Sequence, residues 1–209
     1  GYAEGLPACF ERDGRRYRIE YKPIALPADD GSDESRVMIV LTDETEQHQS
    51  RERLEYLSMH DTLTGLRNRN SIDKWISDYR KDARLPLSLI MADMNGLKLV
   101  NDVFGHLQGD ELLIRGSRIL RAACGEDAVC ARWGGDEFLV VLPGADAERC
   151  RETIARLYEA FKRAESFPIK ISMAIGSATM SRAAEELPQL FLRAEKELYK
   201  KKLIESRSV

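Results

Sequence analysis

The rhythm of apolar and polar positions changes twice along this chain. Near the start, Tyr17, Ile19 and Tyr21 alternate with Arg16, Arg18 and Glu20, the two-residue period of a half-buried strand. Asp13-Gly14 just ahead predicts a tight hairpin turn, because Gly tolerates the positive φ such a turn requires. Pro27 to Ser35 is polar and reads as a loop, and Val37 to Leu41 (VMIVL) reads as a short apolar strand. That is too little sheet to close a core of its own, so residues 1–42 read as a β segment of a larger domain. From Asp43 to His60 the chain turns polar and helical, with Thr42 or Asp43 as cap and Glu44 and Glu46 in the first turn, where the helix dipole favours them. Its apolar stripe is thin, mainly Leu54 and Leu57. Such a helix is either a solvated connector or half of a parallel coiled coil.

Residues 61–209 alternate helical and strand patterns, as one α/β domain does. Ser71 to Ala83 predicts a helix and Leu87 to Met94 (LSLIMADM) a buried strand. Leu112, Leu113, Gly116, Ile119, Leu120 and Ala123 follow a helical stripe, and strands flank Gly134-Gly135. Ala147, Cys150, Ile154, Leu157 and Phe161 mark a further helix; Ile169, Ile171, Met173 and Ile175 alternate as a strand. A last helix runs from about Leu187 to Leu203.

Composition narrows the function classes. With 43% hydrophobic and 32% charged residues the chain can bury a core, and its net charge of −3 disfavours sequence-independent nucleic-acid binding. Cys9, Cys124, Cys130 and Cys150 form no C-x-x-C pair, so buried free thiols in a reducing compartment are expected rather than zinc or disulfides. No apolar run approaches the roughly 18 residues of a membrane span and no signal peptide is visible, so a cytoplasmic location is expected.

Three segments concentrate residues that a core does not need. Asp93-Met94-Asn95-Gly96-Leu97-Lys98 ends an apolar strand, and a carboxylate emerging there can hold a hard cation at the rim of the core; a lone Asp there is more often a cap or a turn. Asn101 and Asp110 bracket Asp102-Val103-Phe104-Gly105-His106. A carboxylate can accept from guanine N1–H and the 2-amino group while an amide serves the ring acceptors, and adenine would leave such a buried carboxylate unpaired. Taken alone, Asp110 reads first as the cap of the helix it begins, and His106 as a hydrogen-bonding support for the loop. The third segment, Arg132-Trp133-Gly134-Gly135-Asp136-Glu137-Phe138, contains an ordinary Gly-Gly hairpin turn. The two adjacent carboxylates after it are not explained by a turn, because their repulsion needs a cation or solvent to offset it. If Asp93 and Asp136 sit on neighbouring strands they could share a divalent ion, with a triphosphate supplying further oxygens.

Together these segments resemble a family. Asp61-Thr62-Leu63-Thr64-Gly65-Leu66-Arg67-Asn68-Arg69 is similar to the D-x-L-T-G-L-x-N-R opening of GGDEF-domain diguanylate cyclases, and residues 93–110 to their D-x-N-x-L-K-x-x-N-D-x-x-G-H-x-x-G-D stretch. Residues 134–138 are the GGDEF letters themselves, and Ala194-Glu195-Lys196 through Leu198-Tyr199 and Lys202 resembles the family's close. The resemblance spans 61–209 in order. It implies an α/β (α+β) fold: a central, mainly antiparallel sheet wrapped by helices, related to nucleotide cyclase and polymerase palm domains. It implies that Asp93, the Met94 carbonyl and Asp136 hold Mg²⁺, with Mn²⁺ as an alternative. Asn101 and Asp110 would read guanine, with His106 supporting that loop, while Gly96, Leu97, Lys98 and Lys202 lie along the phosphates of GTP. Asp136 would serve as base; Glu137 assists or holds structure. Since each domain would bind one GTP, a homodimer is needed to make cyclic di-GMP, and the helix 43–60 is placed to control it. Residues 10–48, ending in Leu41-Thr42-Asp43-Glu44-Thr45-Glu46-Gln47, look like the C-terminal part of a PAS sensor domain.

Three departures matter. Asn95 stands where a second Asp is common, which weakens a second metal site. Gly125-Glu126-Asp127-Ala128 stands where an inhibitory product site needs Arg-x-x-Asp, so no feedback inhibition is expected there. Ser206 stands where an Arg is frequent. The competing reading is a catalytically silent module that senses GTP or cyclic di-GMP; an intact signature beside a missing product site argues against it.

Overall fold

The computed structural model describes residues 7–27, 33–79, 85–166, 168–182 and 185–205. It divides into two compact units, Gly1–Tyr56 and Leu57–Val209. The first holds a three-stranded antiparallel sheet of β1 (Cys9–Arg12), β2 (Arg15–Pro27) and β3 (Asp33–Asp43), in that order. Asp13 (φ 52°) and Gly14 (φ 73°) form the β1–β2 turn, the double left-handed conformation whose twist suits a two-residue hairpin. The alternation read in β2 is explained by its partners: Ile19 stands across from Leu41 and Tyr21 across from Ile39. β3 begins at Asp33, before the expected Val37, because backbone pairing with Ile24 to Pro27 carries the strand through polar residues. Of the expected loop, residues 28–32 lie outside the described residues. Helix α1 (Thr45–Met59) starts where the Asp43 carboxylate accepts from the Thr45 amide at 3.0 Å, and it buries no residue.

The second unit runs α2 (Arg69–Asp78), β4 (Leu87–Met94), α3 (Leu97–Phe104), α4 (His106–Cys124), β5 (Val129–Arg132), β6 (Glu137–Pro143), α5 (Ala147–Arg163), β7 (Met173–Met180) and α6 (Leu187–Glu205). Its four strands form an antiparallel sheet in the order β5-β6-β4-β7. Helices cover both faces, which is why β4 reads as an unbroken apolar run and is buried throughout. Ile90, Ala92 and Met94 pack with Leu112, Leu120, Leu157 and Phe161 of α4 and α5. Leu87, Leu89 and Met91 pack with Ile72 of α2 and with Leu190, Ala194 and Leu198 of α6. The one hydroxyl in β4, Ser88, is fully buried but satisfied, at 2.9 Å from the Ala145 carbonyl and 2.7 Å from the Thr179 hydroxyl.

Several expectations shift at their edges. α2 begins at Arg69, capped by the Asn68 side chain on the Ser71 amide at 2.9 Å, and stops at Asp78 because Tyr79 turns extended. Residues 80–83 of that expected helix lie outside the described residues. β7 starts only at Met173: β4 ends with Met94, so Ile169 and Ile171 have no strand to pair with, while residues 176–180 follow β4 back to Leu87. Cys124, Cys130 and Cys150 are buried free thiols as expected, but Cys9 is exposed on an edge strand. Burial raises the Cys150 thiol above its ordinary value. Among the described residues no helix is long and apolar enough to cross a membrane.

Candidate active site

Asp93 sits one residue from the end of β4, and only 4% of its surface is exposed. A carboxylate so buried requires a partner, and the Lys202 ammonium donates to its Oδ2 at 2.5 Å. The sequence placed Lys202 along the phosphates; the fold puts it first against Asp93. The reason lies in β7. Gly176 has no side chain, so the α6 backbone at Ala194 and Leu198 comes down onto the sheet where any Cβ would overlap it. Lys202 lies one helical turn beyond Leu198, roughly 6 Å along the axis. Ala174, two residues from Gly176 and roughly 7 Å along the strand, is the β7 partner of Asp93. Turn and strand step match, and the lysine arrives over the acid.

The Gly-Gly hairpin joins β5 to β6 beside this end of β4. The Trp133 and Gly134 amides both donate to the Glu137 carbonyl, at 2.8 and 3.2 Å, closing the turn. The Met94 amide donates to the Asp136 carbonyl at 2.9 Å, tying the hairpin to β4. In register, Asp93 stands across from Glu137, with Asp136 one position on. Both candidate acids of the hairpin therefore flank the end of β4, and the direct cross-strand neighbour of Asp93 is Glu137 rather than Asp136.

Arg132 braces the hairpin from inside. Its guanidinium donates to the Gly135 carbonyl at 2.7 and 3.1 Å and to the Asp61 carboxylate at 3.2 and 3.3 Å. Burial alone would raise the Asp61 carboxyl, but the Thr64 hydroxyl at 2.7 Å, the Thr64 amide at 2.8 Å and Arg132 together hold it below its ordinary value. The Arg69 guanidinium stacks over the Trp133 ring at 4.7 Å, so α2 supports the same turn.

The other half of the site is the α3–α4 pair. Asn95 binds Ser172 twice, its amide to the carbonyl at 3.0 Å and its side-chain nitrogen to the hydroxyl at 3.1 Å. Gly96 then turns the chain with φ 77° into α3, where Val100 is buried and Leu97 packs against the core. A Cβ on Gly109 would overlap Asn101 Oδ1, so the Asn101 side chain lies directly on α4 next to Asp110. Asn101 and Asp110 are both half-buried, on separate helices. Asp110 does not cap α4: the helix begins at His106 with Gly105 at the cap, and Asp110 lies in its second turn. The capping reading is thereby corrected, because the helix starts earlier than the apolar stripe indicated. Lys98 and His106 are exposed on α3 and at the first position of α4.

Among the described residues no three His, Cys, Asp or Glu side chains form a ready-made metal cage. The donor set still fits a hard cation: a buried carboxylate at a strand end, with two more acidic residues on the adjoining strand end. Mg²⁺ is commonly held by one or two carboxylates and completed by substrate phosphates and water. Residues 125–128 lie in the α4–β5 connection, beside a cavity of about 910 Å³ that Arg118 and Arg121 also line. Ser206 falls outside the described residues.

Sequence reading missed the Arg132–Asp61 link and the Lys202–Asp93 pair, both of which join positions remote in the chain. The one available signal was the placement of charged residues beside apolar strand ends.

Residues 58–207 match the family model described as diguanylate cyclase, GGDEF domain. A diguanylate cyclase of Vibrio cholerae serotype O1 is 31% identical over 171 residues, covering 78% of this chain and 52% of the relative. Diguanylate cyclase DgcM of Escherichia coli K12 is 29% identical over 177 residues, covering 79% of this chain and 41% of its own. The chain thus spans about half the length of the curated relatives it matches. Among solved structures, diguanylate cyclase SiaD of Pseudomonas aeruginosa, in complex with its activator SiaC, superposes with a TM-score of 0.63 at 26% identity, over 76% of this chain and 64% of SiaD. The coiled coil and GGDEF domain of DgcB from Caulobacter crescentus, in complex with c-di-GMP, gives 0.68 at 21% identity over 75% of this chain and 87% of that one, a likeness of fold.

Proposed function

The chain belongs to the GGDEF family of diguanylate cyclases, and from that membership we propose that it condenses two GTP into cyclic di-GMP and two pyrophosphates. The observation that carries this reading is the meeting of Asp93 with the Asp136-Glu137 pair at the end of β4, beside the contact of Asn101 with the α4 turn that bears Asp110.

In this reading Asp110 accepts from guanine N1–H and the 2-amino group, and Asn101 serves the ring acceptors, which orients the nucleotide and disfavours adenine. The Gly96–Leu97 backbone and Lys98 lie along the phosphates. Asp93, the Met94 carbonyl and Asp136 are the residues that would hold a divalent cation, Mg²⁺ or Mn²⁺. When bound, such an ion supplies charge neutralisation at phosphoryl oxygens. Lys202 balances the Asp93 charge and, in the same reading, would lie along the triphosphate. Asp136 takes the proton from the 3′-hydroxyl that attacks the α-phosphorus of the second GTP, and pyrophosphate leaves. Glu137, across from Asp93, supports the acid pair.

Each domain holds one nucleotide, so closing the ring takes two copies. We assign residues 61–209 to the cyclase domain, 43–60 to a connecting helix that sets the pairing, and 1–42 to the C-terminal β segment of a PAS-type sensor. A cytoplasmic setting, where GTP is available, fits the free thiols. Without Arg-x-x-Asp in residues 125–128, product does not inhibit through that loop.

The test is incubation of the chain with GTP and Mg²⁺ at high protein concentration, with cyclic di-GMP detected by mass. Product that vanishes with Asp136→Asn supports the enzyme. GTP binding without turnover at any protein concentration would leave a silent sensor instead.

A further inference from the structure

We propose that Cys124 and Cys130 form a peroxide-responsive thiol pair that closes a reversible disulfide between the end of α4 and β5. Nothing in this pair depends on the cyclase reading above. Cys124 is the last residue of α4 and Cys130 the second of β5. Gly125, at φ 87°, turns the chain between them, and its carbonyl accepts from the Ala128 amide at 3.4 Å. The chain doubles back over this turn, and the two thiols hydrogen-bond to each other inside the core. Disulfide formation needs sulfurs that already face one another, which this contact supplies. The ordinary role of a buried thiol is to fill space, and Cys150 has it. Burial raises that thiol, and the Ser177 and Ser88 hydroxyls engage it, so it stays inert.

Cys130 differs from Cys150 in access and in charge. It lines the cavity of about 910 Å³ beside the α4–β5 connection, which a molecule as small as hydrogen peroxide can enter. Arg67, Arg118 and Arg121 line the same cavity against two acids, Glu126 and Asp127, and Asp127 lies 3.8 Å from Arg149. The bond from Cys124, and after it the Arg121 charge, hold the Cys130 thiol below its ordinary value against the effect of burial. Donating that bond raises the Cys124 thiol. Cys130 is therefore the attacking sulfur and Cys124 the resolving one. The Cys130 thiolate attacks one oxygen of hydrogen peroxide. An S–O bond forms, the O–O bond breaks, and the leaving hydroxide takes up the proton that Cys130 had released. Sulfur is oxidised by two electrons and peroxide reduced by two. Cys124 then attacks the sulfenic sulfur: an S–S bond forms, the S–O bond breaks, and the Cys124 proton leaves with the hydroxide as water. Two thiols and one peroxide give one disulfide and two waters. The disulfide keeps Cys130 from advancing to the irreversible sulfinic acid, and a dithiol opens it again.

The experiment exposes the full chain to a small excess of hydrogen peroxide, blocks the remaining thiols with N-ethylmaleimide in denaturant, and maps tryptic peptides by mass. Cleavage after Arg121 and Arg132 leaves both cysteines on one peptide, Ala122–Arg132. That peptide should lose two hydrogens and take no maleimide, and dithiothreitol added before blocking should reverse the loss. A peptide that still takes two maleimides when exposed Cys9 has been oxidised overturns the pair. A change that dithiothreitol does not reverse overturns it as well. Dimedone, which captures sulfenic acids, identifies the attacking sulfur. With peroxide, Cys124→Ser should label at Cys130 about tenfold more than Cys130→Ser labels at Cys124. Equal labelling overturns the division of roles. Because the mass map uses the parent chain, it refutes or supports the pair even where a serine variant fails to fold.

Discussion

The Lys202 ammonium lies 2.5 Å from Asp93 Oδ2, a contact between residues 109 positions apart. It joins an acid buried near the end of the central strand to a lysine that is 43% exposed. Replacing Lys202 with Met should cost about 1 kcal/mol, less than for a fully buried pair because solvent reaches the lysine side. The same variant should gain more thermal stability from added Mg²⁺ than the parent does, because the cation no longer displaces a lysine. Melting curves with and without Mg²⁺ check both, and Asp93→Asn should abolish the response to the ion.

Arg132 holds the signature hairpin by its Gly135 carbonyl and joins it to Asp61. Arg132→Gln removes charge-assisted hydrogen bonds from a largely buried group, so a loss of about 2 kcal/mol is expected. Because the hairpin carries Asp136, turnover should fall even at temperatures where the variant is fully folded. Chemical denaturation and initial rates separate the two effects.

The Asp61 carboxyl titrates in the folded chain below its ordinary value of 3.8, held there by Thr64 and Arg132 against the effect of burial. A depressed acid contributes stability in full above its unfolded value and loses it as pH falls through the folded one. Asp61→Asn should therefore be less stable than the parent at pH 7, and the gap should narrow steadily below about pH 4. Denaturation midpoints at several pH values would show a constant gap if this linkage were absent.

Gly109→Ala sets a methyl where Asn101 Oδ1 now lies. The side chain of Asn101 can swing aside, so the fold should lose only about 1 kcal/mol, near the low end for overpacking. Guanine-nucleotide affinity should drop more, by about tenfold, because a displaced hydrogen-bonding group no longer meets the base. Calorimetric titration with GTP and a melting curve on the same sample give both numbers.

Much of this was legible in the sequence because its signals are local. The run LSLIMADM is a strand covered on both faces, and Asp93 at its end is where an apolar stretch stops. The hairpin was legible because Gly-Gly separates two apolar stretches. Register was not legible. Alternation says that a strand has two faces but not which residue of a neighbour it meets, and here the neighbour of Asp93 is Glu137. Contacts made by close approach were hidden as well. Gly176 and Gly109 carry no side chain to announce that a helix or an amide rests on them. The start of α4 was misplaced for a related reason: the one apolar side chain of its first turn, Leu107, faces solvent, so the buried stripe became visible only at Leu112.

Asp93 ends a strand enclosed by helices above and below, and the hairpin acids are stitched to that strand through main-chain bonds. Moving these groups apart would mean opening the buried core on both faces of that strand. A frame so fixed has little freedom to rearrange its reactive groups. For the proposed reaction, that would leave the meeting of two loaded copies, a matter of concentration and tethering, as the quantity open to adjustment.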